Sequence, residues 1–387
     1  MPEPEPATTA RGRILCISFS PLRQDARVQR QIGVLRDFGD VTTIGYGSAP
    51  EGAVDHIEIP TSAPSLPQTP IGVLRLALRM YATLPLTAPG EKAALDRAVG
   101  HGPYDLVVAN DARALPLARA LAGSAPILAD LHEWAPEENA TNLIWRVLVK
   151  PYMTWLCRSQ LPHMAAVTTV NQSIADLYQQ RFGVRAAVVR NAGQFRVLSP
   201  SPAEPGRVRL VHSGIAVPGR NVEALIDATL ALPARFSLDL YLIGSDAQLA
   251  QLRARAGGDP RITFHEPVAP DALPATLNKY DLGVFLLPPR TINMRLMLPN
   301  KFFDFVQARL GVVFGPALET DRLIREHGLG VVTRDWSAEA LVSSLATLSD
   351  DDVAGFKAAS HASSTALSNG TDIATLRSVI SGLVKAD

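Results

Sequence analysis

Cysteine is almost missing from this 387-residue chain, which carries only Cys16 and Cys157, far apart. Two such residues cannot build a disulfide framework, and their usage fits a reducing compartment. Both read as buried apolar side chains. An excess of one charge is missing too: Lys plus Arg and Asp plus Glu each number 37. That balance gives no electrostatic case for nucleic acid as the main partner. No charge-free apolar run reaches about 18 residues, which argues against a transmembrane helix. The first ten residues, MPEPEPATTA, lack the basic and apolar stretches of a signal peptide and read as a disordered tail. No His/Cys/Asp cluster has ligand spacing, so no metal site is expected. These absences describe a cytoplasmic chain.

What is present is apolar residue in quantity, 47% of the total, enough for two buried sheets in a chain too long for one ordinary core. RILCISFS, from Arg13, reads as a buried strand, and Asp25–Phe38 has helical spacing with Val28, Ile32 and Leu35 on one face. VTTIGYG, from Val41, is the next strand, and this opening begins a doubly wound parallel sheet. DLVVAND, PILADLHE, AVTTVN and AAVVRN continue the alternation. Residues 194–206, with three prolines and two serines, mark a linker. Strands then resume with RLVHSG, SLDLYLIGS, RITFHEP, DLGVFLLP and LGVVFGP. The expected fold class is α/β, with two Rossmann-like domains facing across a cleft. The first domain spans 11–193, the linker 194–205 and the second domain 206–365. A C-terminal helix, 366–387, is placed to return to the first domain.

Ligands of open parallel sheets bind beyond the carboxyl ends of the strands, so residues there carry the chemistry. RLVHSG runs into a loop carrying Gly214, Gly219 and Arg220 just before a helix. Glycine admits close backbone approach, the helix start offers free N–H groups, and arginine suits phosphate oxygens. The alternative is a tight turn with a surface arginine. In LPNKFFDFVQARLGVVFGP, from Leu298, Lys301 and Asp304 share one side of a helix start. Such a carboxylate can accept from the two hydroxyls of a ribose, with the lysine beside a diphosphate. The alternative is an intrahelical pair worth ~0.2–0.5 kcal/mol. His132 follows a strand end; otherwise it is a hydrogen-bonded structural histidine, with Glu133 capping the next helix.

LPNKFFDFVQARLGVVFGP resembles the proline–Asn–Lys helix of retaining, GT-B-fold family 4 glycosyltransferases. SPLRQDARVQRQIGVLRDFGDVTTIGYG resembles that family's opening, ADLHEWAPEE its Asp-x-His-Glu segment and AVVRNAG the Arg-Asn closing its first domain. HSGIAVPGRNVEALIDA resembles its donor loop, and LYLIGS its Gly-ending strand. The resemblance implies that Gly214, Arg220 and Lys301 approach the donor diphosphate and Asp304 holds the ribose. It implies that His132 contacts the donor sugar, so that His132, Arg220 and Lys301 form the catalytic set. Asp25, Arg27 and Glu133 fall on the acceptor side, with Asp25 and Arg27 at the cleft mouth; Asn191 marks the hinge side. Two departures stand out. The family's two glutamates become Leu296 and Asp304 here, and Ile215 follows the loop glycine where related enzymes often have arginine.

The resemblance implies transfer of a sugar from a nucleotide-diphosphate donor to a glycan, lipid-linked or small-molecule acceptor. Retention is implied, with cations and helix dipole in place of Mg²⁺ and no cofactor beyond the donor substrate. A non-catalytic sugar-nucleotide-binding scaffold, or another GT-B enzyme such as an epimerase, remains the alternative. Two amphipathic basic–aromatic segments, from Asn142 and from Thr69, either pack on their own domain or lie on an anionic membrane. The second outcome would place the chain at the inner face of the cytoplasmic membrane.

Overall fold

A computed structural model describes residues 11–384; the tail expected at residues 1–10 lies outside the described residues. The chain divides into two units, Met1–Val189 with Ile373–Asp387, and Arg190–Asp372.

The first unit is built on seven parallel strands, β1 (Gly12–Pro21), β2 (Gly39–Tyr46), β3 (Asp55–Ile59), β4 (Leu106–Asn110), β5 (Ile127–Leu131), β6 (Ala166–Thr169) and β7 (Ala187–Val188). Their order is β3-β2-β1-β4-β5-β6-β7, so the winding reverses between β1 and β4. β4 and β5 are buried along their whole length, which is why they read as unbroken apolar runs. The Ala26–Leu35 helix starts where the Asp25 carboxylate accepts from the amides of Arg27 and Val28, a capping arrangement worth about 1 kcal/mol. Its Val28, Ile32 and Leu35 meet Ile14, Val41 and Leu106 in the core, together with Leu376 and Ile380 of the last helix.

The second unit repeats the plan with β8 (Val208–Ile215), β9 (Phe236–Ile243), β10 (Ile262–His265), β11 (Leu282–Phe285), β12 (Gly311–Phe314) and β13 (Gly330–Val332). All pair in parallel in the order β10-β9-β8-β11-β12-β13, reversing between β8 and β11. Successive residues face opposite sides of a strand. Leu210, Val284 and Val313 therefore enter one apolar cluster, while Val211, Phe285 and Val312 enter the other. Phe302, Phe303 and Phe305, all fully buried, seat the Asn300–Gln307 helix on the second cluster.

The chain passes between units at Val189/Arg190 and again at Asp372/Ile373, rather than at the expected 193 and 365. These crossings lie side by side: the Asp372 carboxylate accepts from the amide and Nε of Arg190. The stretch expected to be a linker is fastened to the second unit. Its Arg196 amide donates to Gln307, its Leu198 carbonyl accepts from Arg309, and its Ser201 hydroxyl donates to the Asn278 carbonyl. Proline there keeps an extended segment extended, and side chains supply the hydrogen bonds that a sheet would otherwise supply.

Candidate active site

Ligands of this sheet order bind beyond the carboxyl ends where the winding reverses. In the second unit those ends belong to β8 and β11. After β8 comes the loop to the Val222–Ala231 helix; after β11 comes the segment carrying Arg290. The Lys301 side chain, in the first turn of the Asn300–Gln307 helix, lies directly over Gly214. A β-carbon on Gly214 would sit 2.8 Å from Cε and 2.9 Å from Nζ of Lys301. The ammonium also stands 5.6 Å from the centre of the Phe285 ring. Burial lowers its pKa; Asp304 pulls it back up and Arg220 pushes it further down. Arg220 is thus within electrostatic reach of Lys301, and the sequence-picked Gly214, Arg220, Lys301 and Asp304 belong to one locality.

Asp304 is half-buried, and desolvation raises its carboxyl to about 6 against the opposing pull of Lys301 and Arg196. Among the described residues, neither Lys301 nor Asp304 makes a side-chain hydrogen bond or ion pair. They form a cation and an acid held ready, without the intrahelical pair that their spacing permits. Asn191 donates to the Asn300 side chain at the start of the same helix.

Two residues of this locality escaped the sequence reading. Gly219 has φ +88°, and a β-carbon there would lie 2.9 Å from the guanidinium carbon of Arg290. Arg290 therefore covers the glycine that precedes Arg220. The signal available was position, since LLPPR directly follows a buried strand. His212 is buried at the end of β8. Its Nδ1–H donates to the Val284 carbonyl, and burial, with Lys301 close by, lowers its pKa to about 4. It stays neutral, with its Nε2 facing Gly214.

In the first unit the reversal lies between β1 and β4, and the polar residues there form one network. Asp130 is buried at the end of β5 and takes two hydrogen bonds from Arg27, 2.9 and 2.6 Å, and one each from Gln31 and Thr168. Burial alone would raise its pKa, but Arg27 and His132 hold it well below the usual carboxylate range. Arg27 was expected at the cleft mouth on the acceptor side. It is instead 7% exposed and occupied by Asp130 and the Val189 carbonyl. A buried guanidinium needs those acceptors. Its place is under the site, as a support for Asp130. Asp25 caps its helix and accepts from Ser20.

His132 retains 21% side-chain exposure. Its amide donates to Asp111, its Nδ1 lies 3.3 Å from the Asp111 carboxylate, and its Nε2 is hydrogen-bonded to Asn110. Burial acts to lower its pKa, but Asp111 and Asp130 outweigh that and raise it. Glu133 differs: burial, then the charges of Glu138 and Asp111, raise it to about 8. A cavity of about 690 Å³ lined by Phe19, Tyr46, Arg113, Asn139 and Trp145 lies in the same unit.

Residues 48–192 match Glycosyltransferase Family 4. No curated protein matches the chain in sequence. Among solved structures, Anabaena HepE in complex with UDP and glucose is 15% identical with a TM-score of 0.66, over 96% of this chain and 100% of that one. Sucrose-phosphate synthase from Thermosynechococcus elongatus is 14% identical, TM-score 0.69, over 97% and 100%. A glycosyltransferase from Rickettsia africae is 14% identical, TM-score 0.67, over 97% and 100%. At such identities the likeness establishes the two-sheet fold across the chain. The chain has the two-sheet GT-B fold of these glycosyltransferase structures, and its residues 48–192 are similar to Glycosyltransferase Family 4.

Proposed function

We propose that the chain moves a sugar from a nucleoside-diphosphate donor to a glycan, lipid-linked or small-molecule acceptor, with retention and without a metal ion. The observation that carries the reading is the gathering of Lys301, Arg220 and Arg290 around Gly214 and Gly219, at the strand ends where the second sheet reverses. Anabaena HepE, one of the fold's relatives, is described in complex with UDP and with UDP-glucose, which supports a sugar nucleotide as donor. In this reading the diphosphate lies against the three cations and Asp304 accepts from the ribose hydroxyls. The bond from the anomeric carbon to the leaving oxygen breaks, and its electron pair goes to the diphosphate. The acceptor hydroxyl bonds to the same carbon, and its proton passes to the departing phosphate oxygen. Cations fixed in advance stabilise the charge that grows on the diphosphate, and so act more on the transition state than on the bound donor. His132 is assigned to the transferred sugar, with Asp25 and Glu133 on the acceptor side. The reading includes a cytoplasmic chain working at the inner face of the cytoplasmic membrane.

Donor turnover, as transfer or hydrolysis, is the test. Lys301→Ala and Arg220→Ala should each lower kcat by about 10²-fold while shifting donor affinity less, and a chelator should leave the parent rate unchanged. An unaltered kcat in either variant removes that residue from the mechanism, and loss of rate with chelator overturns metal independence.

A further inference from the structure

The two amphipathic segments meet on one surface of the first unit. The Pro70–Ala77 helix, capped by Thr69, buries only Gly72 and Leu76. Ile71, Leu74 and Leu78 are 64%, 58% and 62% exposed. It packs against the Trp145–Val149 turn, a π-helical turn of the kind often found at functional sites. Around that turn Leu143, Ile144 and Val147 are 68%, 67% and 59% exposed. Aliphatic side chains in such density, on two neighbouring elements, are unusual on a surface that meets only water.

Beside this patch runs a groove of about 600 Å³ lined by Arg79, Arg146, Lys150, Arg158, Tyr81 and Trp155, among others, with no acid in its wall. Lys150 is paired with Glu137 at 2.5 Å. Among the described residues, the side chains of Arg79, Arg146 and Arg158 have no hydrogen-bonding or ionic partner. Trp155 stacks on the buried Tyr152, which fixes the groove floor. In a chain whose charges balance overall, four cations facing one groove are a local choice. Aliphatic side chains beside unpaired arginines suit the boundary between acyl chains and anionic headgroups.

We propose that this face is a docking surface for an anionic phospholipid bilayer. The aliphatic patch enters the headgroup–acyl boundary, and the arginines of the groove hold lipid phosphates. The inference deepens the membrane part of the functional reading by naming the residues and the lipid chemistry. The surface also adjoins the 690 Å³ cavity of the same unit, because Asn142, Ile144 and Trp145 line that cavity while Leu143 and Val147 line the groove. One short segment forms a wall of both.

The test is flotation of the full chain with vesicles of phosphatidylglycerol and phosphatidylcholine, and with phosphatidylcholine alone. Binding should require the anionic lipid and weaken with salt. Arg146→Ala with Arg158→Ala should lower partitioning by about 30-fold, at roughly 1 kcal/mol per basic residue. Leu74→Asp with Leu143→Asp should abolish it. All four positions are exposed, so melting temperatures should hold. Equal binding to neutral vesicles, or parent-like partitioning by either double variant, overturns the proposal. So does a parent dimer that the Leu→Asp pair dissolves in sedimentation while vesicle binding is nil, since a second copy then covers the patch. Donor hydrolysis without vesicles is measured alongside. Its survival when flotation fails leaves the transferase reading standing, and its absence when flotation succeeds removes that reading alone.

Discussion

Asp111 does more than its place in the sequence advertises. Its backbone sits at φ 63°, ψ 160°, a region that side-chain-bearing residues avoid at a cost of about 1–3 kcal/mol. The conformation is held because its amide donates to the Asp130 carbonyl and its own carbonyl accepts from Ala114. The result aims its carboxylate at both the amide and the ring of His132. Asp111 and Asp130 raise the His132 pKa against burial. The contribution of that contact to stability is therefore full below the ordinary histidine pKa and fades as pH climbs through the raised one. Asp111→Asn should move the His132 titration down, read from its imidazole carbon-bound proton by NMR. Asp111→Gly should make the same shift while keeping the melting temperature or raising it, because glycine relieves the strain. A His132 midpoint unmoved in both variants would mean that Asp111 does not set its charge. His132 was legible from its place after a strand. Asp111 was not, since nothing in the residue type announces a positive φ unless it is glycine.

Elements were easiest to read where they are buried throughout. β4, β5, β11 and β12 are apolar at nearly every position, and the sequence marks all four. The edge strands β3 and β13 went unread, because DHIEI carries three polar residues and GVV is only three residues long and half-buried. The loop and helix proposed to hold the donor were legible as glycine, arginine and lysine at element ends. What the pattern could not supply was their mutual approach, with the Lys301 stem lying over Gly214. Gly214→Ala tests that contact. The new methyl would meet the far end of the flexible Lys301 side chain at 2.8–2.9 Å and the buried His212 ring at 3.2 Å, so the strand should survive and the ammonium should move. Stability should change by less than ~1 kcal/mol while kcat falls toward that of Lys301→Ala. Gly33→Ala is the control: no atom lies within 4 Å of its added carbon, and in a helix that change should stabilise by about 0.5–1 kcal/mol. A Gly214→Ala enzyme with the parent kcat would show that the lysine does not need its present place.

At the scale of the molecule, the last helix is shared property. Asn369–Val384 begins in the second unit, where the Asn369 amide donates to the Gly193 carbonyl. It ends in the first, where Leu376 and Ile380 pack with Val28, Val189 and Leu106. The first sheet's core is thus completed by residues synthesised after the whole second unit. Contacts so distant in sequence must wait for the rest of the chain. Leu376→Ala and Ile380→Ala should each cost the first unit about 2–5 kcal/mol and leave the second unit's own transition in place. Tryptophan separates the two: Trp134, Trp145 and Trp155 lie in the first unit and Trp336 in the second. With Trp336→Phe, fluorescence melting reports the first unit alone, and its midpoint should fall in the double variant. A nucleotide that binds the second unit should still raise that unit's calorimetric transition by mass action. If Leu376 and Ile380 instead lower both transitions equally, the units melt as one body and the helix holds the entire chain, not the first sheet.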